Sequence, residues 1–161
     1  MITFEELYAD YAGPLYRFAF WLSGDHHQAE DIVSETFLRA WSSSKPLRGR
    51  TLRAFLFAIA RNLYREQHRK GRRLQPLGED HRSEEPGPEK QAVQGAEMSL
   101  VRQALQQLSP NERVALLLRS VEEMPYEEIA AALNISLAAA KVRVHRARRK
   151  MAQYVLEKET A

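Results

Sequence analysis

The feature that most constrains this chain is the spacing of its apolar residues, which recur every three or four positions and never alternate in twos over a useful length. Such spacing builds amphipathic helices, each with one stripe to bury, and leaves nothing to pair as a sheet. The pattern fails in one place. From about Gly71 to Gly95 the periodicity fades, and the stretch LGEDHRSEEPGPEK combines Gly, Pro and acids as linkers do. The expected fold is all-α: two small helical domains, residues 1–73 and 98–161, joined by a flexible linker over 74–97, with a helix-turn-helix in the C-terminal domain.

Local signals place the helices. Thr3 with Glu6 and Asp25 with Gln28 have capping-box spacing, while Gly13-Pro14 predicts a bend or an interruption in the first helix. In the second helix Ala29, Ile32, Val33, Phe37, Ala40 and Trp41 follow the i, i+3, i+4 rule, and Lys45-Pro46 ends it. A third helix is expected from about Thr51 to Arg69, with Phe55 in the core and Phe57 and Tyr64 partly exposed. Helical pattern returns near Met98, and Ser109-Pro110-Asn111-Glu112 supplies a cap, a proline at the first helical position and a capping-box acid.

Charge is distributed unevenly. The net charge of +3 hides seven acids and one base in residues 1–37, against eleven bases and the single acid Glu66 in residues 38–73. Residues 141–150 carry six more bases. Two basic surfaces on one chain point to a polyanion touched twice. The chain has no cysteine, which suits a reducing cytoplasm and removes disulfide and thiolate-metal chemistry. No apolar run reaches the roughly 18 residues that a membrane span requires.

The segment PYEEIAAALNISLAAAKVRVHRARRKM has the parts of a helix-turn-helix. Ile129, Ala130 and Leu133 face inward, Asn134 suits a left-handed turn, and Ser136 caps the second helix. On that helix Leu137, Ala140, Val144, Ala147 and Met151 form the expected buried stripe. Ala138, Lys141, Val142, His145, Arg146 and Arg149 occupy its other faces, so a slim leading end enters a major groove with cations behind it. The plain alternative is a basic helix with a solvated face. A lone histidine such as His145, with no cysteine or second histidine nearby, makes a poor metal site.

In the N-terminal half, Asp31 and Glu35 stand on one helical face with Ser34 and Leu38, away from the apolar stripe. Exposed acids beside Leu38 and Trp41 suit docking of a basic helix from another protein. A metal or acid-base role for the carboxylates fits less well, because no histidine follows a glutamate at the spacing of di-metal bundles. The third helix interleaves Arg53, Arg61, Asn62, Arg65 and His68 with aromatics, a combination that holds phosphates and unpaired bases.

These segments, LYRFAFWLSGDHHQAEDIVSETFLRAW, LRG, RAFLFAIARN, LSPNERVALLLRSVEEMPYEEIAAALNIS and KVRVHRARRKM, in this order over about 130 of the 161 residues, resemble the extracytoplasmic-function (ECF) group of sigma-70 factors. The resemblance implies an alternative sigma factor that binds core RNA polymerase and directs promoter-specific transcription initiation, with no catalytic residue, metal or cofactor. It implies that residues 1–73 carry polymerase and −10 binding and residues 98–161 carry −35 binding. Asp31, Ser34, Glu35 and Leu38 would then face the polymerase clamp helices. Leu47, Arg48 and Gly49 match the loop that captures a flipped −10 base, Arg61, Asn62 and Arg65 the helix beside it, and Lys141, Val142, His145 and Arg146 the −35 reader. An anti-sigma protein, often membrane-bound, is a further implied partner.

The sequence departs from that pattern at named positions. Leu47 stands where phenylalanine is common, Ala138 and Ala139 replace a Gly-Thr pair, and Glu123 and Pro125 replace a glycine and a serine before Tyr126. Two other classes fit the sequence less well. A regulator that never touches polymerase has little use for the Asp31 and Glu35 face, and a metal enzyme built on His26, His27, Glu30 and Asp31 competes with the helix cap that Asp25 already explains.

Overall fold

The computed structural model describes residues 2–43, 50–74 and 88–160. Among these there are seven helices and no strand: α1 (Phe4–Ser23), α2 (His26–Ser42), α3 (Leu52–Leu74), α4 (Pro88–Gln106), α5 (Pro110–Ser120), α6 (Tyr126–Leu133) and α7 (Leu137–Thr160). The helix α4 begins ten residues before Met98. Its first turns carry a proline at the first position and then good helix formers, Glu89, Lys90, Gln91 and Ala92, so propensity supports a helix where no apolar stripe announces one.

Side-chain caps set most of the starts. Thr3 Oγ1 accepts from the Glu6 N–H at 3.1 Å while the Glu6 carboxylate accepts from the Thr3 N–H at 2.9 Å, and Ser109 and Glu112 close the same box at the start of α5. Asp25 accepts from His27 and Gln28, but its own N–H turns to Ser23 Oγ, so the second expected box is only half made. Pro14 does not interrupt α1. The bond it removes would end on the turn of exposed Asp10, where water can replace it, and the helix runs on to Gly24, whose φ of 75° suits a residue without a Cβ.

Helices α1, α2 and α3 enclose Leu15, Phe18, Leu22, Ile32, Phe37 and Leu56, while α4 to α7 enclose Leu105, Leu118, Met124, Ile129 and Val144. The two halves are docked, α1 against α5 and α3 against α6, and their buried side chains form one continuous cluster. Docking reverses one expectation about α3. Phe57 and Tyr64 are buried at 1% and 3% exposure, and Phe55 is the half-exposed one. The reason is that α3 is covered on more than one side: Phe57 meets Phe18 of α1 edge to face at 5.1 Å, and Tyr64 lies under the C-terminal half. On α7, Ala140, Val144 and Ala147 are buried as expected, but Leu137 is 39% exposed because the first turn projects past the helices that cover Ala140.

A charged residue sits inside the seam. Arg113 is 5% exposed, and its guanidinium donates to the carbonyls of Leu105 (2.9 Å), Leu108 (3.0 Å) and Leu22 (3.0 Å) and to the Tyr64 hydroxyl (2.9 Å). Four hydrogen bonds are what a buried guanidinium needs to offset its desolvation. Helix α1 has no base in its last turn, so Arg113 supplies from the other half the positive charge that a helix C-terminus favours.

Candidate nucleic-acid interface

The basic helix of the C-terminal half is aimed by its own turn. Asn134 takes the left-handed conformation (φ 55°, ψ 50°), and Ser136 Oγ accepts from the Ala139 N–H at 3.0 Å. With Ala140, Val144 and Ala147 fixed inward, Lys141, Val142, His145 and Arg146 all fall on the exposed side, Val142 at 46%. Of the basic run, Lys150 is engaged elsewhere. It pairs with the Glu112 carboxylate at 2.9 Å and, against the burial that pushes that carboxyl up, it and Ser109 hold it below its ordinary range.

The turn that leads into α6 departs from the usual chemistry as the sequence indicates. Glu123 adopts φ 54°, and Pro125 stands at the N-cap without a side-chain bond to offer. Arg119 steadies the turn instead, donating to the Met124 carbonyl at 3.1 Å and lying 4.4 Å over the Tyr126 ring.

On α3, Asn62 and Arg65 are exposed and Arg61 is half-buried, with one guanidinium N–H on Asn62 Oδ1 at 3.1 Å. Burial, then the neighbouring charges of Arg65 and of Arg143 on α7, push the Arg61 guanidinium down from its ordinary range. Like charges held this close favour an anion. Leu47, Arg48 and Gly49 lie outside the described residues.

The acidic face of α2 presents Asp31, Ser34, Glu35 and Leu38 together, all exposed, with Leu38 at 60%. Arg39 reaches Glu35 at 3.7 Å and Glu66 of α3 at 3.3 Å, but these groups are about half exposed and such pairs contribute at most about 1 kcal/mol. The face is therefore available. Trp41, half exposed beside it, is steadied edge-on by Phe4 at 5.3 Å. His26 packs on Phe20 at 4.5 Å and shares a hydrogen bond with the Tyr16 hydroxyl, whose pKa burial and then Glu30 push up. Among the described residues no group of three His, Cys, Asp or Glu side chains gathers as a metal site, and no helix is long and apolar enough to cross a membrane.

Sequence reasoning missed three residues that organise this site. Arg113 hides in an apolar run, and Glu122 and Glu128 look like surface acids, yet Glu122 pairs with Arg17 at 2.9 Å and Glu128 with Arg53 at 2.6 Å across the seam. No local signal marks a contact between residues more than seventy positions apart.

Comparison with known proteins agrees with this architecture. Residues 7–74 match the model of Sigma-70 region 2, and residues 98–151 match that of Sigma-70, region 4. The chain is 35% identical to the ECF RNA polymerase sigma factor SigE of Mycolicibacterium smegmatis, over 96% of this chain and 62% of that protein's length. It is 34% identical to the ECF RNA polymerase sigma factor SigL of Mycobacterium tuberculosis, over 86% of this chain and 81% of the relative. Among solved structures, the sigma factor RpoE in complex with the anti-sigma factor NepR from Bartonella quintana superposes with a TM-score of 0.77 at 32% identity, covering 94% of this chain and 96% of that one. CnrH in complex with the cytosolic domain of CnrY gives 0.71 at 26% identity, covering 94% and 86%. The chain belongs to the ECF RNA polymerase sigma factors of the sigma-70 family.

Proposed function

We propose that this ECF sigma factor binds core RNA polymerase through the acidic face of α2, Asp31, Ser34, Glu35 and Leu38, and directs promoter-specific initiation through two DNA contacts. The −10 element is taken by Leu47, Arg48, Gly49, Arg61, Asn62 and Arg65 within a domain of residues 1–73. The −35 element is read by Lys141, Val142, His145 and Arg146 within a domain of residues 98–161, with 74–97 as the connection. The observation that carries this reading is the coexistence of an exposed acidic helix face and an exposed groove-sized basic helix face, each projected by a different half. One face suits a basic protein partner and the other suits duplex DNA.

The chain acts by binding alone, in the cytoplasm, and is not an enzyme. Its sequence holds no Walker-type glycine-lysine loop, so strand opening draws on binding energy rather than on nucleotide hydrolysis. An anti-sigma protein restrains it, a reading supported by the likeness to RpoE with NepR and CnrH with CnrY.

Transcription in vitro from a genomic promoter library, with purified core polymerase, tests the reading. Defined start sites should appear only when the factor is added. The variant carrying Asp31→Arg and Glu35→Arg should keep its helicity and melting temperature but lose polymerase binding and these transcripts, because reversed charge meets a basic partner. Full polymerase affinity in that variant would overturn the α2 assignment.

A further inference from the structure

Two ion pairs cross the seam between the halves in the same sense, arginine from one half and carboxylate from the other. Arg17 grips Glu122 with two parallel bonds, Nε to Oε2 at 3.2 Å and one terminal nitrogen to Oε1 at 2.9 Å. Arg53 grips Glu128 in the same way, Nε to Oε1 at 3.0 Å and a terminal nitrogen to Oε2 at 2.6 Å, while the Thr51 hydroxyl donates to the same carboxylate at 2.6 Å. Both arginines belong to the N-terminal half and both acids to the C-terminal half. The carboxylates that raise each guanidinium above its ordinary range come from the C-terminal half, Glu122 for Arg17 and Glu128 then Glu122 for Arg53, with Tyr11 of α1 adding to the rise at Arg53. Separation of the halves thus leaves two arginine forks on the N-terminal half without those acids.

A fork that fits a carboxylate also fits a phosphate, since both present two oxygens in a plane. Arg53 stands at the first turn of α3, and Arg61 and Arg65 follow eight and twelve residues later, roughly 12 and 18 Å along the same helix at 1.5 Å per residue. The freed forks therefore add cations to the basic helix α3 near its start and to α1. We propose that Arg17 and Arg53 form a DNA phosphate-binding strip which the C-terminal half covers with Glu122 and Glu128 while the halves are docked. The acids occupy the strip as the DNA backbone does, so docking and DNA binding exclude each other there. The inference rests on the promoter-binding reading above.

The full-length chain tests it. Small-angle scattering gives the radius of gyration, and fluorescence anisotropy with a labelled 20-nucleotide single strand of mixed sequence gives affinity as a function of salt. The isosteric pair Glu122→Gln and Glu128→Gln should expand the chain, tighten single-strand binding about tenfold and steepen the salt dependence by about 1.4, at about 0.7 per phosphate. Adding Arg17→Ala and Arg53→Ala should leave the chain expanded and return affinity and slope to the wild-type values. A glutamine pair with wild-type radius and affinity overturns the masking. An expanded chain whose affinity does not respond to loss of the arginines overturns the phosphate assignment. Failure of the promoter reading shows separately, as a wild-type chain that supports no start site with core polymerase.

Discussion

Helices α3 and α7 are both long, basic and amphipathic, yet the side-chain pattern of α7 states its exposed face while that of α3 misstates its buried one. Helix α7 rests its Ala140, Val144 and Ala147 stripe on the helices beneath, and Lys141, Val142, His145 and Arg146 are left outside. Helix α3 is covered by α1, α2 and α6, so Phe57 and Tyr64 on a flank of the stripe are buried as deeply as Leu56 and Leu63 on it. A helical stripe tells which side is apolar. How many sides are covered depends on partners that are distant in sequence.

Stability measurements can break this comparison most sharply. Phe57→Ala should cost about 3–5 kcal/mol, the range for a large aromatic removed from a packed core, and half-exposed Phe55→Ala clearly less. Urea unfolding of the two variants checks the order. Equal losses, or a larger loss at Phe55, would show that the two-sided burial of α3 does not hold in solution.

The outward faces sharpen the comparison through DNA. Lys141→Ala and Arg146→Ala on α7 should each weaken binding of a −35 duplex and, where a phosphate contact is lost, lower the salt slope by about 0.9. Asn62→Ala on α3 should leave that duplex affinity unchanged and instead slow promoter opening in the polymerase complex, read by permanganate reactivity of unpaired thymines. If Asn62→Ala and Lys141→Ala gave the same defect in both assays, the two helices would not divide the promoter between them.

Much of this architecture is legible in the chain. The boxes at Thr3 and Ser109, the left-handed Asn134 and the Ser136 cap are local devices within five residues of what they bond, and each is found where the sequence puts it. The exposure of Asp31, Glu35, Lys141 and Arg146 follows from the stripes beside them. What could not be read is the seam. Arg113 takes its partners from Leu22, Tyr64, Leu105 and Leu108, and the pairs of Arg17 with Glu122 and Arg53 with Glu128 join positions whose only shared property is opposite charge. A surface acid and a seam acid look alike until the halves are docked.

The seam also gives α3 a pH dependence, as the Lys150 contact with Glu112 gives α7 its own. Hydrogen bonds from Arg53 and Thr51 hold the Glu128 carboxyl below its ordinary value despite partial burial. A depressed folded pKa means that the stabilisation is present above the usual glutamate value of about 4.3 and is lost as pH falls through the lower, docked value. The halves should therefore loosen as pH falls below about 4.3, seen as a rising radius of gyration before helical circular dichroism declines. In Glu128→Gln that early expansion should be weaker.

The smallest expected effect lies in the turn that delivers α6 to this seam. Glu123 holds φ at 54°, a conformation that costs an L-residue roughly 1–2 kcal/mol relative to the right-handed region and costs glycine almost nothing. The exposed Glu123 side chain forms none of the inter-half pairs described above, so its removal need not disturb the seam. Glycine in turn loses more chain entropy on folding, by about 0.5–1 kcal/mol. The difference leaves Glu123→Gly stabilising by up to about 1.5 kcal/mol, readable as a higher urea midpoint with an unchanged slope. Because Met124 behind it is fully buried and its N–H is bonded to the Leu118 carbonyl at 3.0 Å, the turn geometry is fixed from the inside and should survive the change. A lower midpoint would mean that the left-handed backbone at Glu123 is stabilised by contacts of its side chain, and that the C-terminal half is less legible from backbone chemistry than α7 makes it look.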